Sequence, residues 1–267
     1  MRSLNATSAL VNGTSDRPER RFRFLGPSAW LGLALVSLVP MAEPQAQTDF
    51  AAERARMVLE IAQMARATAG ETGRPAFSAR VMRAMGSVQR HRLVAAEQAP
   101  VAYRNHPLPI GERQTISQPY IVALSTDLLD PQPHHVVLDI GTGSGYQAAV
   151  LAELVQRVYS VEIIESLGRT AGERLAALGY RNVEIRIGDG NLGWEAKGPF
   201  DAIVVAAAAP RVPQALVAQL KPGGRMVIPV GPPLGAQDLV LVEKRADGSA
   251  AMTKVLPVRF VPLVEPR

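Results

Sequence analysis

The chain has 267 residues, of which 47% are hydrophobic and 20% charged, so it holds enough apolar material to bury a sizeable core. It has no cysteine, which excludes disulfides, thiolate metal sites and cysteine nucleophiles, and its four histidines lie outside any metal-binding pattern. The net charge of +5 is small, aromatic residues are only 5%, and no run of Lys and Arg is long enough for a nucleic-acid patch. We therefore expect neither a metal nor a nucleic acid among its ligands.

Residues 1–48 differ from the rest of the chain and form a basic and hydrophobic extension. Arginines precede a stretch without charge, residues 24–42. As a helix this stretch would span about 28 Å, close to a bilayer core, and a basic segment before an apolar run also fits a secretory signal. A disordered extension, or a start codon assigned too far upstream, explains the same residues equally well. We leave this segment out of the fold prediction.

Residues 49–110 predict a lead-in of helices and loops. Apolar residues recur on one face over 50–65, which indicates an amphipathic helix. Ser78 is placed to cap a short helix that Gly86 closes. The stretch 100–111 contains three prolines and predicts a loop.

Residues 111–267 predict the main domain. It begins with a helix that has Ser117 at its N-cap and Pro119 in its first turn. Strands are then predicted at 135–140, 157–162, 183–187, 201–206, 225–230, 238–244 and 251–260, with helices at 145–155, 165–178 and 212–220. This alternation is typical of a mostly parallel sheet covered on both faces. The last two strands lack an intervening helix, so we expect them to form an antiparallel hairpin.

A glycine-rich loop follows the first of these strands. Gly141, Gly143 and Gly145 let the backbone approach a ligand at the start of a helix. Their Gly-x-Gly-x-Gly spacing differs from the Gly-x-Gly-x-x-Gly that packs a pyrophosphate. Asp139 stands just before the loop, where a carboxylate would repel a phosphate but hold an ammonium group. The loop therefore favours S-adenosylmethionine over a dinucleotide, and a tight turn without a ligand is the alternative.

Two further acidic residues close the next strands. Glu162 stands about 20 residues after the glycine loop, where a carboxylate can accept both hydroxyls of a ribose. Asp189, with Gly190, closes the third strand and can reach the adenine edge. A solvated strand-end charge and an ordinary Asp-Gly turn are the structural alternatives. Asp201 is expected to be structural, and the small residues 206–210 are expected to line the cleft.

Several segments of the chain match one family in order. They are Tyr103-x-Asn-x-Pro-Leu-Pro-Ile-Gly111, Gln114-Thr-Ile-Ser-Gln-Pro-Tyr-Ile-Val-Ala123, Leu138-Asp-Ile-Gly-Thr-Gly-Ser-Gly-Tyr146, Gly188-Asp-Gly190, the run 220–231 and Val258-Arg-Phe-Val-Pro-Leu263. Over roughly residues 50–265 the chain resembles the protein-L-isoaspartate O-methyltransferases. It departs from that family at Glu112-Arg113, where a smaller or glycine-containing pair is usual, and in residues 1–48.

The resemblance implies a fold, a cofactor and a reaction. The fold would be a Rossmann-like class I methyltransferase, a doubly wound and mostly parallel sheet with a C-terminal hairpin and an N-terminal helical extension. The enzyme would move a methyl group from S-adenosylmethionine to the free carboxylate of L-isoaspartyl residues in aged proteins and peptides, without a metal, and the ester would collapse to a succinimide. Its catalytic residue would be Ser117, and its cofactor residues would be Thr115, Ile116, Asp139, Gly141, Thr142, Gly143, Ser144, Gly145, Glu162, Asp189 and Gly190. We expect a monomer that acts in the cytoplasm, with tethering or export through residues 24–42 as the alternative.

Methylation of a carboxylate is chemically compatible with these residues, and other classes of function remain as alternatives. A substrate carboxylate is already ionised at pH 7, so Ser117 would donate a hydrogen bond that orients it rather than act as a nucleophile. A plain N-cap is the alternative role of Ser117. We expect the substrate backbone to contact residues 116–117 and the tail 258–264. A Rossmann oxidoreductase, a methyltransferase of another small molecule or of RNA, and a non-catalytic scaffold are the competing functions.

Overall fold

The computed structural model describes residues 49–233 and 235–264. The predictions made for residues 1–48 lie outside the described residues. The helices are α1 Phe50–Ala67, α2 Ala69–Thr72, α3 Ala79–Ser87, α4 Pro119–Leu128, α5 Tyr146–Ala152, α6 Glu165–Ala177 and α7 Gln214–Ala218. The strands are β1 Leu108–Gly111, β2 Gln114–Ile116, β3 Val136–Ile140, β4 Arg157–Glu162, β5 Val183–Ile187, β6 Phe200–Val205, β7 Leu220–Val230, β8 Gln237–Lys244 and β9 Ala250–Val258.

The helical lead-in follows its amphipathic pattern. Asp49 caps α1 by accepting hydrogen bonds from the N–H groups of Ala51 and Ala52. Met57 and Ile61, four residues apart on one face of α1, are fully buried. Ser78 caps α3 as predicted. Gly86 lies inside α3 rather than after it, because Val88 is the C-terminal cap, so that part of the prediction is wrong.

The segment predicted as a loop at 100–111 instead ends in a strand. β1 and β2 form an antiparallel hairpin in which Leu108 pairs with Ile116. Proline is tolerated at a sheet edge, so Pro109 does not prevent pairing. At the tip, Glu112 and Arg113 have φ angles of 51° and 58°. Such tips normally take Asn-Gly, so the pair that departs from the family pattern occupies a conformation that ordinary side chains resist.

The main sheet has seven strands in the order β5-β4-β3-β6-β7-β8-β9. The five strands β3 to β7 run parallel, β8 pairs antiparallel with β7, and β9 pairs antiparallel with β8. The predicted doubly wound sheet with a C-terminal hairpin is confirmed. Since β3 pairs with β4 on one side and β6 on the other, the chain reverses its winding direction beside β3. Open sheets of this kind bind ligands at the carboxyl edge of such a switch point.

Each face of the sheet is buried under helices. On one face, Val137 of β3 belongs to a core that also includes buried residues of α1, α3, α4, α5 and α6. On the other face, Leu138 and Ile140 pack with Leu216 and Val217 of α7. The central strands β3 and β6 are mostly apolar on both faces for this reason. The lead-in helices thus share a core with the sheet, and the division at residues 48 and 110 stays a prediction.

The start of β7 and the length of α7 differ from the prediction. The segment 221–224, Lys-Pro-Gly-Gly, was expected to stop a helix but lies within β7, where the pairing with β6 shifts register between Phe200 and Ala202. Such an irregularity accommodates the proline and the glycines inside a strand. Helix α7 is correspondingly shorter than predicted. Within residues 49–233 and 235–264, no helix has both the length and the apolar character needed to cross a membrane.

Candidate active site

A cavity opens at the carboxyl edge of the sheet, at the switch point beside β3. It encloses about 740 Å³ of empty space counted to its open mouth. The loop after β3, the end of β4, the segment after β2 and the C-terminal tail all contribute to its wall. Of the predicted site residues, those lining it are Thr115, Ile116, Ser117, Gly141, Thr142, Gly143, Ser144, Glu162 and Gly190. Three predicted residues do not line it: Asp139, Gly145 and Asp189.

The glycine loop is held between the hairpin and α6. A Cβ atom added at Gly143 would lie 3.2 Å from Cδ1 of Ile110 on β1, and this residue has a φ angle of 51°. A Cβ atom at Gly145 would lie 3.1 Å from Cδ1 of Leu175 on α6, with a φ angle of 87°. Both positions therefore require glycine. Gly145 acts through close packing, as in the tight-turn alternative, whereas Gly143 also faces the cavity.

Glu162 binds the glycine loop directly. It is 5% exposed, and its two carboxylate oxygens accept hydrogen bonds from the Gly143 N–H at 2.8 Å and the Ile164 N–H at 3.0 Å. Glu162 is therefore not a solvated strand-end charge. A carboxylate has about four acceptor positions, so each of its oxygens keeps one position that neither backbone group uses.

Asp139 lies beneath the loop and is fully buried. Its Oδ2 accepts a hydrogen bond from Ser160 at 2.7 Å, and Ser160 is bonded in turn to the Thr142 hydroxyl at 2.5 Å. Its Oδ1 has no partner within the described residues. Burial raises the pKa of the Asp139 carboxyl to about 7, although the hydrogen bond from Ser160 acts in the opposite direction. The site thus contains a chain of polar groups from the sheet core to Thr142 at the cavity wall.

The residues after β5 form one side of the cavity. Asp189 caps a short 3₁₀ turn by accepting hydrogen bonds from the N–H and side-chain amide of Asn191. The cavity is lined by its neighbour Gly190, where an added Cβ atom would lie 2.5 Å from Cγ2 of Ile140. The backbone therefore packs too closely here for any side chain.

Ser117 is half-buried and lies just before α4. The prediction that its side chain caps this helix is wrong, because the N-cap position belongs to Gln118 and the capping oxygen comes from elsewhere. The Tyr120 N–H donates to Oδ1 of Asn105, 15 residues away in sequence, at 3.0 Å. Among the described residues, no hydrogen bond to the Ser117 hydroxyl is present.

A second groove adjoins the cavity and encloses about 1190 Å³, counted in the same way. The two spaces share Thr115, Ser117, Ala206 and Val261 as lining residues. The rest of the groove is formed mainly by α1, α4, the end of β9 and the tail after it, including Met64, Ile121, Val258 and Phe260. Arg259 is the single charged residue that lines it in the described part of the chain. Ser117 thus stands where an apolar groove with one positive charge meets the cavity.

The C-terminal tail is fixed in place by backbone pairing and by one buried side chain. The Ala208 N–H donates to the Val261 carbonyl and the Leu263 N–H donates to the Ala208 carbonyl, both at 2.8 Å. Gln237, 2% exposed, accepts from the Phe260 N–H at 2.7 Å and donates to the Phe260 carbonyl at 3.3 Å. The tail and Ser117 therefore line the same two spaces, and their expected contacts with a substrate stay a prediction.

The prediction missed several residues of the cavity wall. They are Gln114, Val122, Tyr146, Gln147, Ile163, Ile164 and Leu167. Ile163 and Ile164 follow Glu162 directly, so apolar residues after a strand-end acid were the available signal. The others come from β2, α4, α5 and α6 and carry no local signature. Within residues 49–233 and 235–264, no three His, Asp or Glu side chains are grouped as metal ligands.

A doubly wound sheet with a glycine loop at its switch point, bound by the carboxylate that ends the next strand, defines a Rossmann-like class I methyltransferase. The sequence model of the Protein-L-isoaspartate(D-aspartate) O-methyltransferase family (PCMT) matches residues 71–267. This match covers most of the chain, and the chain belongs to that family. The resemblance found in the sequence is confirmed.

Two curated relatives are similar in sequence to this chain over most or all of their own length. The chain is 56% identical to protein-L-isoaspartate O-methyltransferase 1 of Cupriavidus necator over 86% of this chain and 89% of that one. It is 57% identical to protein-L-isoaspartate O-methyltransferase 2 of a Polaromonas species, over 79% of this chain and 100% of that one.

Solved structures have the same fold. A protein-L-isoaspartate O-methyltransferase is similar with a TM-score of 0.68 and 26% identity, over 79% of this chain and 66% of that one. A Plasmodium falciparum chain solved with S-adenosyl-L-homocysteine is similar with a TM-score of 0.66 and 22% identity, over 82% of this chain and 99% of that one.

Proposed function

We propose that this protein transfers a methyl group from S-adenosylmethionine to the free carboxylate of L-isoaspartyl residues in damaged proteins and peptides. The ester then collapses to a succinimide, which begins repair. Family membership supports the reaction and makes the protein an S-adenosylmethionine-dependent protein carboxyl methyltransferase. The observation that carries the assignment of residues is the position of Ser117, in the wall shared by the cavity and the groove.

The cavity fits the cofactor at three points. Glu162 keeps one acceptor position on each oxygen, which matches the two hydroxyls of a ribose. Gly190 brings bare backbone to the cavity wall, because the position of its Cβ is taken up by Ile140, and Ile163 and Ile164 offer an apolar surface for adenine. Asp139 lies beneath the loop and would bind the ammonium group of the cofactor indirectly, through backbone amides or water. When bound, S-adenosylmethionine supplies a methyl group already activated on a sulfonium.

The groove fits a peptide that carries a carboxylate. Its apolar wall suits the side chains of a flexible segment, and Arg259 is exposed and positively charged. A guanidinium binds a carboxylate with two parallel hydrogen bonds when geometry allows. We assign the groove to the isoaspartyl substrate, which places the acceptor carboxylate at the Ser117 end.

The role of Ser117 is to orient the acceptor oxygen. A free carboxylate has a pKa near 4 and needs no general base at pH 7. The protein must instead exclude water and align the reacting atoms, and such positioning is worth about 7–11 kcal/mol in favourable cases. The Ser117 hydroxyl is not used to cap α4, so it can donate a hydrogen bond to the substrate.

Methyl transfer to matched peptides tests the proposal. The protein is incubated with radiolabelled S-adenosylmethionine and with an isoaspartyl peptide or the same peptide containing aspartate. We expect base-labile label in the isoaspartyl peptide alone. Equal labelling of both peptides, or none, contradicts the substrate assignment. Transfer to RNA or to a small metabolite would support the alternative methyltransferase, and binding of NAD(H) without S-adenosylmethionine would support an oxidoreductase.

The remaining assignments are part of the proposal. We propose that the protein acts as a monomer in the cytoplasm, where S-adenosylmethionine is made. Its partners are aged proteins and peptides that contain isoaspartyl residues. Tethering or export would depend on residues 24–42. Sedimentation of the purified protein and fractionation of cells expressing the full chain test these two points.

A further inference from the structure

Helix α4, which follows Ser117, is capped by a distant residue. Its own N-cap residue, Gln118, makes no side-chain cap hydrogen bond. The Tyr120 N–H instead donates to Oδ1 of Asn105 at 3.0 Å. The first N–H groups of any helix have no partner within the helix, so this bond satisfies a donor that would otherwise be buried without one.

Asn105 is tied to the same segment by its backbone. Nε2 of Gln118 donates to the carbonyl oxygen of Asn105 at 3.0 Å. The Asn105 amide nitrogen lies 3.4 Å from the sulfur of Met64 on α1, which is a weak contact that orients the amide. Asn105 therefore holds both residues Gln118 and Tyr120, while its own side chain rests on α1.

Ser117 lies between two anchors. Upstream, Ile116 pairs with Leu108 in the β1–β2 hairpin. Downstream, Asn105 binds Gln118 and Tyr120. Pro119 at the start of α4 adds a fixed φ angle and removes a donor that would need a partner. With both flanks fixed, the Ser117 backbone has little freedom to turn its hydroxyl away from the shared wall.

We propose that Asn105 is a positioning residue, which sets the orientation of the Ser117 hydroxyl by capping α4 from outside the helix. The inference rests on the proposed role of Ser117. Asn105 lines neither the cavity nor the groove. Its effect must therefore pass through the segment 117–120.

The inference predicts which kinetic constants change. In Asn105→Ala the cap oxygen is lost, so turnover at saturating peptide falls about tenfold or more, while the Kd of S-adenosylmethionine stays within about twofold. Asn105→Asp keeps an acceptor oxygen and adds a negative charge that a helix N-terminus favours. It restores turnover to within about threefold of the wild type. Asn105→Gln keeps the amide but moves it one methylene out of place, so it shares the loss and provides a second variant if the alanine variant folds poorly.

A matched control separates positioning from stability. Ser78 caps α3 by accepting from the Val81 N–H, away from both spaces. Ser78→Ala removes a cap of the same kind and should lower the melting temperature by an amount similar to Asn105→Ala. It should leave turnover unchanged. Equal losses of turnover in both variants would show that Asn105 acts only through general stability and would overturn the inference.

A double-mutant cycle tests whether the effect of Asn105 on turnover depends on Ser117. If Asn105 acts through Ser117, then Asn105→Ala causes no further loss of turnover in a Ser117→Ala background. Multiplied losses in the double variant overturn the inference, as does failure of Asn105→Asp to restore turnover. Wild-type turnover in Ser117→Ala refutes the proposed role of Ser117 itself. A slow Ser117→Ala with a normal Asn105→Ala refutes the positioning role alone.

Discussion

Replacement of Glu162 by glutamine tests the residue that binds the glycine loop and is assigned to the ribose of the cofactor. The carboxylate accepts from two backbone N–H groups, those of Gly143 and Ile164, one on each oxygen. A glutamine side chain has one oxygen and one NH₂ group. Whichever way the amide turns, one of these two N–H groups faces another donor and loses its partner.

The size of the effect follows from the bonds involved. A hydrogen bond to a charged group contributes about 1.5–3 kcal/mol, so we expect Glu162→Gln to lower the free energy of unfolding by about that amount. For a chain of this size this corresponds to a fall in melting temperature of about 3–12 °C. The same exchange removes one of the two acceptor positions assigned to the ribose. We therefore expect the Kd of S-adenosylmethionine to rise by about 10- to 100-fold.

Calorimetric titration with S-adenosylmethionine and with its demethylated product measures both affinities. Both should weaken together, because the two molecules share the ribose. Glu165→Gln is the matched control, since Glu165 is exposed at the start of α6 and its ion pair is with Arg169 on the same helix. If Glu162→Gln bound both molecules within about threefold of the wild type, the assignment of Glu162 to the ribose would be refuted.

Three further perturbations test other parts of the site. The folded state holds a proton on Asp139 between the usual carboxyl pKa near 4 and the raised value of about 7, so this group favours folding at low pH and loses that contribution as the pH rises through about 7. Asp139→Asn should therefore raise the melting temperature, relative to the wild type, more at pH 8 than at pH 5; an equal difference at both pH values would contradict the raised pKa. The Cβ atom of Gly190→Ala would collide with Ile140 at the cavity wall. We therefore expect this variant to lose about 1–3 kcal/mol of stability and to bind S-adenosylmethionine more weakly. Unchanged affinity in calorimetry would argue against the close approach of Gly190 and Ile140. Gln237→Leu removes both hydrogen bonds to Phe260, so we expect denaturant melts to show a loss of about 1–3 kcal/mol in the free energy of unfolding. We also expect the KM for peptide to rise. An unchanged KM would count against a role of the tail in substrate binding.

The parallel sheet could be predicted because its signal is local. The apolar run at 135–140 marks the buried strand β3, and the predicted strands 157–162 and 183–187 match β4 and β5 residue for residue. Placing the glycine loop and Glu162 near each other also followed from the sequence, since the carboxyl ends of neighbouring parallel strands meet at one edge. The structure adds that Glu162 binds the loop itself.

The errors occurred where partners come from distant residues. Serine before proline normally predicts an N-cap, yet α4 takes its cap from Asn105, which no local pattern reveals. The hairpin β1–β2 was missed because its strands are short, one contains a proline, and its tip is Glu112-Arg113 rather than Asn-Gly. Asp139 was predicted to hold the ammonium group through water or backbone amides; it is fully buried and accepts a hydrogen bond from Ser160, and its role toward the cofactor stays a prediction.

The central claim is that Ser117 orients the acceptor carboxylate at the wall shared by the cofactor cavity and the substrate groove. Turnover of Ser117→Ala at saturating isoaspartyl peptide, measured together with the Kd of S-adenosylmethionine, tests this claim most directly. We expect turnover to fall by about tenfold or more while the Kd stays within about twofold. Turnover equal to that of the wild type would contradict the claim.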